Sequence, residues 1–516
     1  MTRPDKPQEG FISEETKSSS SDLPEIEKSA TLDTVHNDEA IKVLANYTGD
    51  EVWTNEEEKK VLRRIDWKLM PILCVTYGLH HVLASNLQLE IGNRYSFSAA
   101  ILYLGFMVGA YPAMTLAQIL PIERVASGII TLWGICLILT PLCFNYQTLY
   151  VQRFFLGMLE AGVSPMFMLI VGGWYKKNEQ AFRMGIWYSC TGYVSVFSPL
   201  INYGLGHLTG SLSPWKYMYL VAGAVTIIWG IILVFLLPSD PIRARGFNER
   251  QRYIAVARLR VNNSGVRNTH YKKGQVFELL TDLKFWLVFF IAFLGMIANG
   301  PISTFTPIII NSFGFNTLNS LLLVIPAGFI GGTYQLLGPY LAYKFSNNGV
   351  RAWIVFAAQM ITTLAAILLV ALPLNATGGL LFACYILPAI GGGYAVLMGL
   401  QIANIAGYTK RSIASSGLYI GYCLGIVFIL HCRWETQLLD ANYGAGNFTG
   451  PLVYQTQDAP RYVPGFITVV VTSFAAGILV LVYRFVCVWE NRKRDQSGTA
   501  EGYENAYQDD LTDKTN

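Results

Sequence analysis

The chain has 516 residues, 52% of them hydrophobic and only 14% charged, with a net charge of +4. Soluble domains carry nearer one quarter charged residues. A string of soluble domains is therefore excluded, and where the charges fall matters more than their sum.

Residues 1–53 are rich in Ser, Glu and Asp and are expected to be disordered. The polar start, MTRPDKPQEGFISEETKSSSSD, has no apolar core of a cleavable signal, so insertion is expected to use the first membrane helix itself. Thr54 and Glu57 form a capping-box pattern, and EEEKKVLRRIDWKLMP reads as an amphipathic helix that turns apolar. Runs of about 20 apolar residues cross a bilayer as helices. Twelve spans are predicted, near 69–87, 99–120, 125–144, 148–174, 184–206 and 218–237, then 285–309, 318–344, 352–372, 378–400, 412–432 and 464–488.

The expected fold is an all-α membrane protein of twelve transmembrane helices in two six-helix halves. Its parts are a disordered tail (1–53), an N-terminal half (54–238), a basic linker (239–284), a C-terminal half (285–490) and a disordered tail (491–516). Basic residues crowd alternate loops: Lys176, Lys177 and Arg183; the linker, with Arg243, Arg245, Arg250, Arg252, Arg258, Arg260, Lys272 and Lys273; Lys344 and Arg351; Lys410 and Arg411. All fall on one side with both termini, which the positive-inside rule makes the cytoplasm. The linker is expected to lie along anionic lipid and not to bind nucleic acid.

A basic turn leads into a helix rich in small residues twice, in WYKKNEQAFRMGIWYSCTGY and in GYTKRSIASSGLYIGYCLG, an echo that fits a duplicated architecture. Gly105 with Gly109, Gly328 with Gly332 and Gly421 with Gly425 have the spacing of close helix contacts. Asn375-Ala-Thr and Asn447-Phe-Thr are glycosylation sequons in predicted external loops, whereas Asn46 and Asn262 start sequons on the other side. The cysteines (Cys74, Cys136, Cys143, Cys190, Cys384, Cys423, Cys432 and Cys487) show no ligand spacing, so neither a metal site nor a disulfide frame is expected. No cofactor is expected.

Six plus six spans around a basic middle loop resemble the major facilitator superfamily. RRIDWKLMPILC, LPIERV, RFFLGMLEAGVSPMFM, WYKKNEQAFRMGIWYS, GSLSPWKYMYLVAG and DAPRYVPGF are similar to the fungal allantoate permease family of anion:proton symporters, over nearly the whole membrane part. The resemblance implies a plasma-membrane carrier, acting as a monomer. Its cargo would be a small organic anion such as allantoate, ureidosuccinate, nicotinate or a vitamin-like carboxylate, taken up with a proton by alternating access. Two departures stand out. YGLHHVLASNLQ puts Leu83 and Ala84 where the family usually carries an Asp-Lys pair, and Ile426–Gly446 interrupts a family pattern that resumes at Asn447-Phe-Thr-Gly-Pro451. They point to an alternative, a transport-impaired paralogue or a message retaining an unspliced stretch. A non-transporting receptor would carry a long structured tail, and the tail NRKRDQSGTAEGYENAYQDDLTDKTN is short. HExxH, GxSxG and Walker-type patterns do not occur, so no enzyme is expected.

Span four contains both Arg153 and Glu160. A charge at the bilayer centre costs about 2.5–3.5 kcal/mol on insertion scales. Seven residues apart, the two share a helix face but lie about 10 Å apart along the axis, so each needs its own partner. A guanidinium fork suits a carboxylate, and Arg153 is expected to hold the substrate anion, or else to snorkel to the outer interface. Glu160 is expected to load and release the coupled proton, or else to make a structural hydrogen bond to a neighbouring helix. In the superfamily, spans one, four, seven and ten line the cavity. The resemblance thus extends the candidate substrate-binding set to His80 and His81 in span one, Asn299 and Thr304, with Thr306, beside the Gly300-Pro301 break in span seven, and Tyr385 and Tyr394 in span ten. Those two tyrosines could clamp a flat substrate, or simply pack; Trp187, Tyr188 and Tyr203 in span five are weaker candidates.

Overall fold

The computed structural model describes residues 43–44, 46–50, 52–84, 93–206, 212–238, 240–262, 268–299, 306–315, 317–345, 349–438 and 461–497. The first half begins with α1 (Asn55–Ala84), and its capping box forms: the Thr54 N–H donates to Glu57 Oε2 at 3.0 Å and the Glu57 N–H to Thr54 Oγ1 at 3.2 Å. These bonds satisfy donors that a helix start leaves open. There follow α2 (Asn93–Ile119), α3 (Ile122–Leu139), α4 (Tyr146–Glu160), α5 (Val163–Trp174), α6 (Lys177–Gly206) and α7 (Pro214–Leu236). The linker carries α8 (Glu249–Ala257), a 3₁₀ turn (Arg258–Asn262) and α9 (Lys273–Leu280). The second half holds α10 (Leu283–Met296), α11 (Thr306–Ser312), α12 (Thr317–Lys344), α13 (Arg351–Ala371), α14 (Thr377–Ile386), α15 (Ala389–Ala403), α16 (Tyr408–Leu438) and α17 (Val463–Ser497).

Pairs α4–α5 and α14–α15 are single crossings with an interruption, and with α10 and α11 counted together the described helices group into twelve passes, six on either side of the linker. Eight of the crossings are long and apolar enough to span a bilayer on the described residues alone. The first 13 residues of the extra segment Ile426–Gly446 continue α16 as helix to Leu438; the rest lie outside the described residues.

Lipid offers helices no hydrophobic reason to associate, so close packing must hold them. Where α2 crosses α4, Gly105 and Gly109 stand against the backbone of Phe154 and Met158, leaving no room for a β-carbon. Gly192 of α6 meets the backbone of Gly332 in α12 in the same way, along the widest contact between the halves. The halves also meet where α2 lies on α16 and α6 on α15. Phe155, Phe235, Phe329 and Phe485 are exposed on the outer surface, as lipid-facing rings are. Trp67, Trp286, Trp353 and Trp489 are exposed toward the end that carries the basic loops, forming an interfacial belt.

That basic end is knitted together by charge. Arg258, expected along lipid, is instead fully buried, because the carboxylates of Glu179 at the start of α6 and Glu58 in α1 both reach it. Arg183 grips Asp66 of α1 with two hydrogen bonds, 3.2 and 2.9 Å. The second half repeats the scheme: buried Lys410 lies 2.9 Å from Glu278 of α9 and 3.0 Å from Asp282. Two ties then cross between halves. Gln118 of α2 donates to Thr409 Oγ1 at 2.8 Å and to the linker carbonyl of His270 at 3.2 Å, and Arg351 donates to the Lys177 carbonyl at 2.8 Å. The end of the tail expected to be disordered is docked as well: Tyr47 stacks on Tyr253 of α8 at 4.1 Å, and Arg250 donates to the carbonyls of Asp50 and Val52.

Gly192→Ala is expected to cost about 1–3 kcal/mol by overpacking the α6–α12 crossing, read as a lower unfolding midpoint in detergent. Gly378→Ala, where nothing lies within 4 Å, leaves the midpoint unchanged. Burial opposes ionisation of Glu58, but hydrogen bonds from Lys176 and Trp53 and the charges of Lys176 and Arg258 outweigh it and hold the carboxyl below its usual range. A depressed folded value gives stability that is complete above the unfolded pKa of about 4.3 and disappears as pH falls through the folded value. Unfolding midpoints measured from pH 7 downward should therefore hold level until about pH 5 and then fall, and Glu58→Gln should remove part of that fall.

Candidate functional site

At the centre of the molecule the two halves meet through tyrosines. Tyr77 of α1, Tyr188 of α6, Tyr394 of α15 and Tyr419 and Tyr422 of α16 form a continuous series of ring contacts. The centroid distances are 5.8 Å for Tyr77–Tyr188, 5.7 Å for Tyr188–Tyr394, 6.0 Å for Tyr394–Tyr419 and 5.9 Å for Tyr394–Tyr422. Trp187 stands edge-on to Tyr77 at 4.6 Å, Phe167 adds a tilted contact, and Phe106 and Tyr103 of α2 close the far side against Tyr419 and Tyr422. Tyr419 and Tyr422, three residues apart, share one face of α16. Each such ring pair is worth about 0.5–1.5 kcal/mol beyond its buried area.

Polar groups are set into this ring cluster. Asn299 Nδ2 donates to Tyr422 Oη at 3.0 Å, Thr191 Oγ1 donates to Gln335 Oε1 across the halves at 3.0 Å, and Tyr419 Oη donates to Met398 Sδ at 3.1 Å. Tyr394 is 2% exposed, and its hydroxyl, beside that of Tyr419, has no partner at full hydrogen-bonding geometry. Glu160 is the last residue of α4 and lies within electrostatic range of both Tyr77 in the first half and Cys423 in the second. Among the described residues, no lysine or arginine touches these rings.

The backbone is interrupted beside them. Pro165 has no N–H for the Ala161 carbonyl and its ring crowds that carbonyl, so the span breaks at Ala161–Gly162, directly after Glu160. The tenth span breaks at Leu387–Pro388, and α10 ends at Ile297–Ala298, next to Asn299. From the basic end the three breaks lie 12, 14 and 15 residues in, a spread of about 5 Å at helical rise. Broken spans at one depth present backbone groups toward a ligand.

The sequence candidates divide. Glu160, Asn299 and Tyr394 come together in or beside the ring cluster. Arg153 does not: it is 7% exposed, neither snorkelling nor facing the second half, and its Nη2 donates to Tyr219 Oη of α7 at 3.1 Å. It belongs with α3 and α7, where Cys136 and Cys143 are its electrostatic neighbours. Tyr385 is half-buried on α14 and makes no ring contact among the described residues. Asn375 is exposed in the turn between α13 and α14. The side chains of His80 and His81, and all of Thr304 and Asn447, lie outside the described residues. Tyr77, Tyr419, Tyr422 and Gln335 were not anticipated; for Tyr419 and Tyr422 the signal was a pair of phenols at helical spacing in GLYIGYC, deep in an apolar run, and no such local signal marks Tyr77 or Gln335.

A family model for the Major Facilitator Superfamily matches residues 70–430. The Allantoate permease of Saccharomyces cerevisiae is 27% identical, over 93% of this chain and 89% of its own. The Thiamine pathway transporter THI73 of the same yeast is 29% identical, over 92% and 87%. The solved structure of the proton:xylose symporter XylE, bound to 6-bromo-6-deoxy-D-glucose, matches with a TM-score of 0.59 over 85% of this chain and 96% of that one, at 13% identity, which bears on fold alone. Twelve helical passes split by a linker, with a family match over most of the length, make this chain a multi-pass membrane transporter and not an enzyme: it belongs to the Major Facilitator Superfamily.

Proposed function

We propose that the protein is a secondary active transporter that takes up a small organic anion together with a proton, the two halves rocking about the ring cluster. The observation that carries this is Glu160: a carboxyl group at the break of span four, within range of both halves, among rings that no described lysine or arginine touches. A site of that kind repels a carboxylate when Glu160 is ionised. When Glu160 is protonated it donates a hydrogen bond to the same carboxylate, so anion binding waits on the proton. The name of the allantoate permease relative supports a small carboxylate as cargo. Arg153 ties α4 to α7 in this scheme and takes no direct part.

By the positive-inside rule the basic end and both termini face the cytoplasm, and the resemblance to uptake carriers favours the plasma membrane. The ties of Gln118 to Thr409 and Arg351 to Lys177 then hold the cytoplasmic side shut, and inward release requires breaking them.

The test is uptake of labelled allantoate, ureidosuccinate and nicotinate in cells lacking their own permeases. At least one should accumulate faster in acid medium and stop when a protonophore collapses the gradient. Glu160→Gln should still equilibrate that solute but not concentrate it; a variant that concentrates it as well as the parent would remove Glu160 from coupling. Separately, Asn375→Gln should reduce an endoglycosidase-sensitive mobility shift, and removing Asn447 as well should abolish it, if both loops are external.

A further inference from the structure

The ring cluster sets a condition on shape as well as charge, on the reading that it is where solute binds. Tyr188 and Tyr394 come from opposite halves and touch at 5.7 Å. A solute passing between the halves has to break that contact. An aliphatic body leaves two ring faces against hydrogens; a flat conjugated body replaces ring on ring by ring on ring. With no described lysine or arginine on the rings, a fixed cation does not override this preference. The Tyr394 hydroxyl supplies the second condition. It is buried with no partner at full hydrogen-bonding geometry, and the Tyr419 hydroxyl that lies beside it is engaged with Met398 Sδ; a donor so placed stays costly until a better acceptor arrives. From these two observations we infer that the site selects solutes with a flat conjugated ring bearing an acceptor atom at its edge, and that Tyr394 is a specificity-determining residue, its ring reading planarity and its hydroxyl reading the acceptor.

Benzoate and cyclohexanecarboxylate are matched probes: equal in charge and ring size, different in planarity. Equilibrium binding of labelled benzoate to the purified full-length chain, with each acid as competitor, needs no gradient. Benzoate is expected to bind about tenfold more tightly. Tyr394→Phe should weaken both acids and keep that ratio, whereas Tyr394→Leu should bring the ratio close to one; a residue that merely held the fold would lower both without changing it. Equal affinities in the parent, no binding of either acid at millimolar concentration, or an unchanged ratio in Tyr394→Leu would each overturn the inference. Acid-driven uptake of a non-planar carboxylate would leave the transport proposal standing while this one falls. Preserved benzoate preference in a Glu160→Gln chain that still concentrates its solute would do the reverse.

Discussion

A bilayer gives a charged side chain nothing to bond to, and that single demand organises this molecule. Span four carries both an arginine and a glutamate, and the structure answers each differently. Arg153 turns sideways to the phenol of Tyr219 and becomes part of the joint between α4 and α7. Glu160 stays at the break in its helix, within electrostatic range of Tyr77 in the first half and Cys423 in the second. Seven residues, two turns of helix, separate a charge tied to a neighbouring helix from one set beside the meeting of the halves.

The same demand explains the basic end. Arg258 and Lys410 are fully buried, and removing one partner from such a pair costs about 3–5 kcal/mol because a buried charge is left alone. The linker contributes one member to each set: Arg258 to Glu179 and Glu58 of the first half, Glu278 to Lys410 of the second. It thus works as a strap that grips both halves through equivalent positions, just after the fourth and tenth spans. The glycine contacts of α6 with α12 complete the closure by letting two backbones approach where side chains would hold them apart.

Features set by near neighbours in the chain were legible in the sequence. Thr54 and Glu57 announce the first helix because a capping box needs only three residues, and Glu160 stands out because a lone carboxyl in an apolar run has few bland explanations. The glycine pairs at 105 and 109 and at 328 and 332 were legible as close contacts for the same reason. What stayed hidden depends on distant partners. Asp66 and Arg183 are 117 positions apart and Arg153 and Tyr219 are 66 apart, so nothing local assigns one to the other. The tyrosines were hidden by their chemistry: a phenol is apolar enough to belong in any membrane helix, and only the meeting of five of them from both halves gives them meaning.

The interruptions in spans four, seven and ten lie at nearly one depth. They cut the molecule into an upper and a lower tier in addition to its left and right halves. A segment of half a span can then tilt about its interruption while the other half keeps its neighbours, so a barrier can form on one tier without dismantling the packing of the other. In the rocking cycle proposed above, each tier parts through its own contacts: the Gln118 and Arg351 ties on the basic tier, the ring cluster beyond them.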